Sequence, residues 1–369
     1  MQKKLLVSLV LGIILSVSAM YLAFRNVPLS EMIIYIRTIN YVWFFPTALL
    51  VLFTFLLRTI RWQLILKGYQ AIRFGEAFHP LMIGFMMNCI LPGRVGELAR
   101  PTLLRQKHGI PITTGLTTVV AERIYDIIIL IMLFGMVFST IAAQPDLEVA
   151  FGSQRLNSQA LQNIAWAMIR LMMVLLLGLL VIIIPWTRKW LKVLITYSAS
   201  WIGNLTPKIK NITDRAANVI INMVDNIAAG LSLVKQPRRL MACSALTIAI
   251  WGITLLSYHV FTLGCPGITL NFMQLTTLMV VISFFIALPS VPGFWGLWEA
   301  GGVFALSLFD IPAKDAAGFT LVNHAVQIIP VIIVGWISAL ITGSNILQLF
   351  NKQQPKMATA PGPTNADNP

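Results

Sequence analysis

Between residues 88 and 101 an apolar run is broken by Pro92, Gly93 and Gly96, and Asn88, Arg94, Glu97 and Arg100 are set around the break. A little further on, Glu122, Arg123 and Asp126 stand in a segment that otherwise reads as a membrane span. Each charge at such depth costs roughly 2.5–3.5 kcal/mol on insertion scales, so its presence asks for a reason. Arginine's planar fork binds phosphate bidentately, and glycines at 93 and 96 let the backbone bend and expose N–H groups that favour an anion. Glu122 and Asp126 are spaced i,i+4 and share a helix face, while Arg123 and Asp126 at i,i+3 can pair. Two carboxylates on one face need cationic partners to stay ionised in a low dielectric. Two readings follow: the arginines hold an anionic headgroup, or the six charges form a closed network that locks the break. A network that opens around a phosphate satisfies both.

The elements that must position these residues are hydrophobic helices. Of the 369 residues, 57% are hydrophobic and only 11% charged, with mean hydropathy +0.80, whereas a soluble domain carries about 25% charge. The fold class expected is all-α: a polytopic helical membrane protein with about six full spans plus two broken, re-entrant elements. The net charge of +14 fits basic loops facing anionic lipid rather than nucleic acid in so apolar a chain. Cys89, Cys243 and Cys265 are dispersed, as are His79, His108, His259 and His324, so neither a disulfide framework nor metal-ligand spacing is present. The sequence calls for no cofactor, no metal and no catalytic residue. Nucleophile elbows, phosphate-binding loops and Asp-rich metal loops are all missing from the motifs it carries.

Full spans are expected at 5–24, 41–57, 113–143, 164–186, 240–263 and 316–341. A cleaved signal peptide is the rival for the first, but its apolar run exceeds the usual h-region of about 7–15 residues. Arg58, Arg61, Lys67 and Arg73 against Glu76 make the next loop cytoplasmic, with Arg58, Arg61 and Trp62 read as interfacial anchors or, alternatively, as contacts to lipid phosphate. Residues 78–91 are apolar but short and basic on both flanks, which predicts an element that enters from the cytoplasmic side and returns. Irregular backbone at that depth requires burial in protein or a wet cavity. The 144–163 loop fits the outside. Residues 187–239 carry nine Lys/Arg against Asp214 and Asp225, and within them 212–234 has the spacing of an amphipathic helix on the membrane or the bundle. The tail, 351–369, has the composition of a disordered segment, leaving 1–350 as one transmembrane domain.

The break has an internal echo. Pro92, Gly93 and Gly96 recur as Pro292, Gly293 and Gly296, preceded by Pro289 and followed by Glu299 as Glu97 follows the first set. Glu122, Arg123 and Asp126 recur as Asn323, His324 and Gln327. By charge counting the second element, 272–288, enters from the outside. Oppositely oriented repeats whose broken helices meet at mid-membrane are a transporter arrangement. The halves differ chemically: the second has Trp295, Trp298, Asn323 and His324 where the first has arginines. Glu299 reads as a protonatable coupling group or a cap, and the two tryptophans as belt residues or site walls.

At these residues the chain resembles the lysylphosphatidylglycerol synthase transmembrane-region family of flippase-like proteins. The likeness rests on Asn88, Pro92, Arg94, Gly96 and Glu97 with Arg100, on Glu122, Arg123 and Asp126, and on Pro289, Pro292, Gly293, Gly296 and Glu299, and covers roughly 5–345. Where family members often have arginine in the last helix this chain has His324, which can make the charge there pH-dependent. The resemblance implies translocation of a polar-headed lipid between leaflets. Relatives with a fused aminoacyl-transferase domain make the lipid themselves, and no such domain is expected here. The partners expected are membrane lipids with an anionic or polyprenyl-phosphate headgroup. The sequence reading makes Asn88, Arg94, Glu97, Arg100, Glu122, Arg123, Asp126, Glu299, Asn323 and His324 the substrate-binding set, and Pro92, Gly93, Gly96, Pro289, Pro292, Gly293 and Gly296 the hinges. The expected location is the bacterial inner membrane with both termini cytoplasmic. The rivals are an accessory subunit docking a cytoplasmic lipid-modifying enzyme through 187–239, and an integral-membrane transferase of lipid-linked sugars.

Overall fold

In the computed structural model, residues 2–344 are described apart from 26, 92–93, 143–148, 206–209, 231–235, 289–290 and scattered positions between 152 and 183. Twelve of its helices are used here: α1 (Gln2–Phe24), α2 (Leu29–Thr38), α3 (Phe44–Leu66), α4 (Phe74–Ile90), α5 (Gly96–His108), α6 (Ile112–Ala142), α7 (Pro185–Leu205), α8 (Lys210–Gly230), α9 (Pro237–Thr262), α10 (Phe272–Ala287), α11 (Leu297–Ser307) and α12 (Ala313–Thr342). One small antiparallel pair, Val149–Phe151 with Gln154–Leu156, interrupts the helical architecture in the stretch read as an outside loop.

Among the described residues, three helices are long and apolar enough to cross a membrane: α9, α12, and α3 with its leading turn (Tyr41–Leu66). The segment after α1 is helical, and the pair Gly12–Phe24 and Leu29–Thr38, bent by 82°, adds up to one more. Where the 113–143 span is expected there is one helix, α6, which carries its three charges within it and is not one of those three helices. Ten of the 23 residues of the expected 164–186 span, and the whole 351–369 tail, lie outside the described residues. Helix α3 runs nine residues past the expected end at Leu57. Arg58 and Arg61 therefore sit inside the helix, where both face Asp126 of α6. The basic 187–239 segment folds as two helices tied by the Lys192–Asp225 ion pair, and α8 lies against both α7 and α6.

The short helices pair into hairpins. In α4–α5, Gly96 approaches Gly84 so closely that a Cβ on Gly96 would lie 1.7 Å from the Gly84 carbonyl oxygen. The Gly96 N–H donates to Asn88 Oδ1 at 2.8 Å and stitches the tip. At the base, His108 Nε2 comes within 4.0 Å of Glu76 Oε2, so the chain returns to the end from which it entered. Helices α10 and α11 form the second hairpin, with Gly301 facing Phe285 and Ile282. Its start is set by reciprocal bonds between Asn271 and Gln274, each 2.9 Å, which close a capping box.

Helices α3 and α9 run antiparallel, with Arg61 beside Thr247 and the Asn40 N–H donating to the Gly264 carbonyl at 2.8 Å. The first hairpin follows the end of α3 and the second the end of α9, so they enter the bundle from opposite ends. A large apolar core around Tyr258, Phe261, Leu278 and Phe319 holds the second hairpin, and a smaller one around Trp62, Leu81, Met82 and Leu104 holds the first. Gly96→Ala is expected to destabilise at the upper end of the 1–3 kcal/mol typical of overpacking, because the obstacle is backbone. Thermal unfolding in detergent would read this, and an unchanged midpoint would contradict the close approach.

Candidate functional site

The two hairpins meet tip to tip. The Arg94 side chain reaches across to donate to the Ile286 carbonyl at 2.8 Å and lies 5.9 Å over the Phe294 ring. A Cβ on Gly293 would stand 3.0 Å from the Cys89 carbonyl. Arg94 and Phe294 occupy the same place in the two Pro-Gly motifs, and both have left-handed backbone, with φ of 53° and 63°. Non-glycine residues rarely adopt that conformation, and such strain concentrates at functional sites. Gly293 (φ 70°) and Gly296 (φ 88°) complete the second break, whereas Gly96 is needed for close approach rather than for a left-handed turn. Pro292 opens the second tip's short turn, while Pro92, Gly93 and Pro289 lie outside the described residues.

On one side of the tips the charges of α3, α5 and α6 interlock. Asp126 accepts two bonds from Arg61, at 2.8 and 3.3 Å, and Arg61 also donates to Thr247 Oγ1 at 2.9 Å. Arg100 donates to Glu122 at 2.7 Å, and its guanidinium lies 4.2 Å over the Trp62 ring. Trp62 Nε1 in turn donates to Thr118 Oγ1 at 2.9 Å. Arg123 pairs with Glu97 at 2.9 Å and stands 3.8 Å from Asp126. Arg58 also stands 3.8 Å from Asp126, against Phe55 and Phe85, and its buried Nε has no hydrogen-bond partner. Arg61 and Arg100 are almost wholly buried, while the side chains of Arg123 and Glu97 retain 36% and 26% exposure. Among the described residues here, four guanidiniums (Arg58, Arg61, Arg100, Arg123) face three carboxylates (Glu97, Glu122, Asp126), and Arg94 at the adjoining tip makes a fifth within electrostatic reach of Glu97.

The other side of the tips is sealed. Glu299 accepts from the Gly296 N–H at 2.7 Å and meets His324 Nδ1 at 2.6 Å, while His324 Nε2 faces the Gly293 carbonyl at 2.8 Å. Both side chains have no exposure at all. The imidazole stacks on Trp298 with a 1° interplanar angle and a 4.5 Å centroid distance, and Trp295 covers it at 4.4 Å. Both ring nitrogens face oxygen atoms. Nε2 must therefore carry a proton for Gly293, and one further proton lies between Nδ1 and the carboxylate, so the pair is neutral as a unit. Asn323 is fully buried beside it, with neither amide atom hydrogen-bonded.

The echo extends to contacts. Glu97 pairs with Arg123 as Glu299 pairs with His324, each joining the second arm of a hairpin to the long helix that follows. Asp126 is bound from α3 by Arg61, and Gln327 donates to Ser257 of α9 at 3.1 Å. All the expected binding residues except Asn88 and Arg94, which serve the tips, and Asn323 enter these two networks. The site set read from the sequence leaves out Arg58, Arg61 and Thr247. Arg58 and Arg61 read there as interfacial anchors or as contacts to lipid phosphate, yet the two carboxylates on α6 already required cations from elsewhere in the bundle.

This is a helical membrane-type protein with a charged interior. The chain belongs to the family described as the lysylphosphatidylglycerol synthase TM region, which matches residues 9–335. It is also similar to "Glycosyltransferase AglD" of Haloferax volcanii, with 24% identity over 357 residues, 91% of this chain and 54% of that protein. The chain thus spans about half the length of this curated relative. No solved structure matches it.

Proposed function

We propose that the chain moves a polar-headed lipid or lipid-linked precursor between leaflets, its anionic headgroup held by the arginine cluster around the first hairpin. The observation that carries this is the charge imbalance. A purely structural ion-pair network inside a bundle closes on itself, whereas five arginines against three carboxylates leave positive charge for a bound anion to offset. Its partial exposure at Arg123 and Glu97, against the sealed His324–Glu299 side, fits a site accessible from one face. The repeated tip conformation and ion pairs support reading the hairpins as re-entrant elements of two inverted repeats, with Arg94 and Phe294 meeting near the axis between them. Residues 1–350 act as one transmembrane unit in this reading, in a bacterial inner membrane, with both termini cytoplasmic.

The test is leaflet-resolved movement of labelled anionic, aminoacylated and polyprenyl-phosphate lipids in proteoliposomes. Arg58→Ala and Arg94→Ala are expected to slow movement of the accepted lipid at least tenfold at matched reconstitution without unfolding the chain: Arg94 holds only a backbone carbonyl at 2.8 Å, and Asp126, 3.8 Å from Arg58, keeps both short bonds from Arg61 when Arg58 is lost. Movement of no lipid by well-folded protein would reject the proposal. The named relative favours a second reading, in which the chain handles a lipid-linked sugar as the membrane part of a glycosyl transfer. Turnover of a sugar donor in detergent, where no leaflets exist, would select it.

A further inference from the structure

A cavity of about 700 Å³ lies where α6, α9 and α10 come together, within the range of small-molecule and lipid pockets. It begins directly beyond the Arg61–Asp126–Thr247 knot. Ile129 and Leu133 follow Asp126 on the same face of α6, and Trp251 and Leu255 follow Thr247 along α9. The lining is apolar until His259 and Asn271 at the far end. From Thr247 to His259 the rise along α9 is about 18 Å, at 1.5 Å per residue. The cavity is flanked by Met132 and Ile248, which are 55% and 60% exposed, so it opens sideways rather than into the core.

We propose that this cavity receives one hydrocarbon chain of an anionic lipid whose phosphate sits against Arg58 and the knot at its base. The inference rests on the headgroup reading above and adds where the tail goes. Charge and shape select the occupant together: in the knot next to the base Arg58 and Arg61 share one carboxylate, Asp126, and the corridor leading from it offers mostly apolar walls over the length of a long alkyl chain. A shorter or wholly polar anion would leave those walls unfilled, and a neutral hydrocarbon would leave Arg58 sharing Asp126 with Arg61.

Gly252 lines the cavity, and a Cβ placed on it meets nothing within 4 Å. Gly252→Phe therefore fills the cavity without a clash at the helix and removes a residue of poor helix propensity. Gly135 on α6 is equally open and lies outside the lining, so Gly135→Phe is the matched control. The probe is a sixteen-carbon alkyl phosphate bearing a photoreactive diazirine at its terminal carbon, applied to the purified full chain in detergent, with labelled peptides mapped by mass spectrometry. Labelling is expected on α9 between Thr247 and His259, to fall at least tenfold in Gly252→Phe and to persist in Gly135→Phe. Unlabelled hexadecyl phosphate should compete, and inorganic phosphate at the same concentration should not. Labelling elsewhere, labelling indifferent to Gly252→Phe, equal loss in the control, or competition by inorganic phosphate as strong as by hexadecyl phosphate would each overturn the tail site while leaving the headgroup reading standing. Absence of labelling by the probe, with inorganic phosphate also failing to bind, would overturn both. Tail labelling as expected without lipid movement in proteoliposomes would uphold this site and reject translocation.

Discussion

Arg61→Ala is expected to destabilise the protein by roughly 3–5 kcal/mol, the cost of removing one partner from a buried ion pair. Arg61 is 1% exposed and supplies the only short bonds made to Asp126 among the described residues, with Arg58 and Arg123 both at 3.8 Å. Its loss strands a buried carboxylate and also removes a donor from Thr247, uncoupling α3, α6 and α9 at one point. Adding Asp126→Asn should recover much of the loss, since the double variant takes one charge of each sign and keeps the cluster's positive surplus. The energy missing from the sum of the single variants, measured by unfolding in detergent, is the coupling between the two residues. If Arg61→Ala were as stable as wild type, Arg61 would be the interfacial anchor that its position after an apolar run suggests.

The second large effect concerns the sealed half. His324→Ala is expected to cost a similar 3–5 kcal/mol, because Glu299 would keep only the Gly296 N–H as partner in a site closed to solvent. Glu299→Gln should be far milder. Its amide oxygen can accept from Gly296 and its NH2 can donate to Nδ1 of a neutral imidazole that still donates to Gly293, so every atom stays satisfied. What Glu299→Gln removes is the shared proton. If that proton moves during lipid transfer, Glu299→Gln should fold normally and lose at least tenfold in lipid movement. Full activity would reduce the pair to a structural clasp. Equal destabilisation by Glu299→Gln and His324→Ala would instead show that the carboxylate's charge is needed for folding.

Several features follow from the sequence alone, for one physical reason: a charge, proline or glycine inside an apolar helix carries a cost visible in a one-dimensional string. The broken segments at 92–96 and 289–296, the charged face of α6 and their weak echoes needed no coordinates, and those same motifs pointed to the family. Local spacing also placed an amphipathic helix near 212–234, where α8 lies. What the string does not encode is which distant groups meet. Arg58 and Arg61 follow an apolar run and look like an anchor pair, and only the antiparallel packing of α3 with α9 and the approach of α6 turn them into partners of Asp126. The equivalence of Arg94 and Phe294 is invisible from residue type, because an arginine and a phenylalanine share nothing but their place in a turn. It emerges once both are seen with left-handed backbone, one lying over the other. Likewise, composition makes His324 and Arg123 two basic residues on long helices. The tertiary structure decides that one is sealed between tryptophans while the other keeps an exposed edge, because burial depends on the elements that close over a residue and not on its neighbours in the chain.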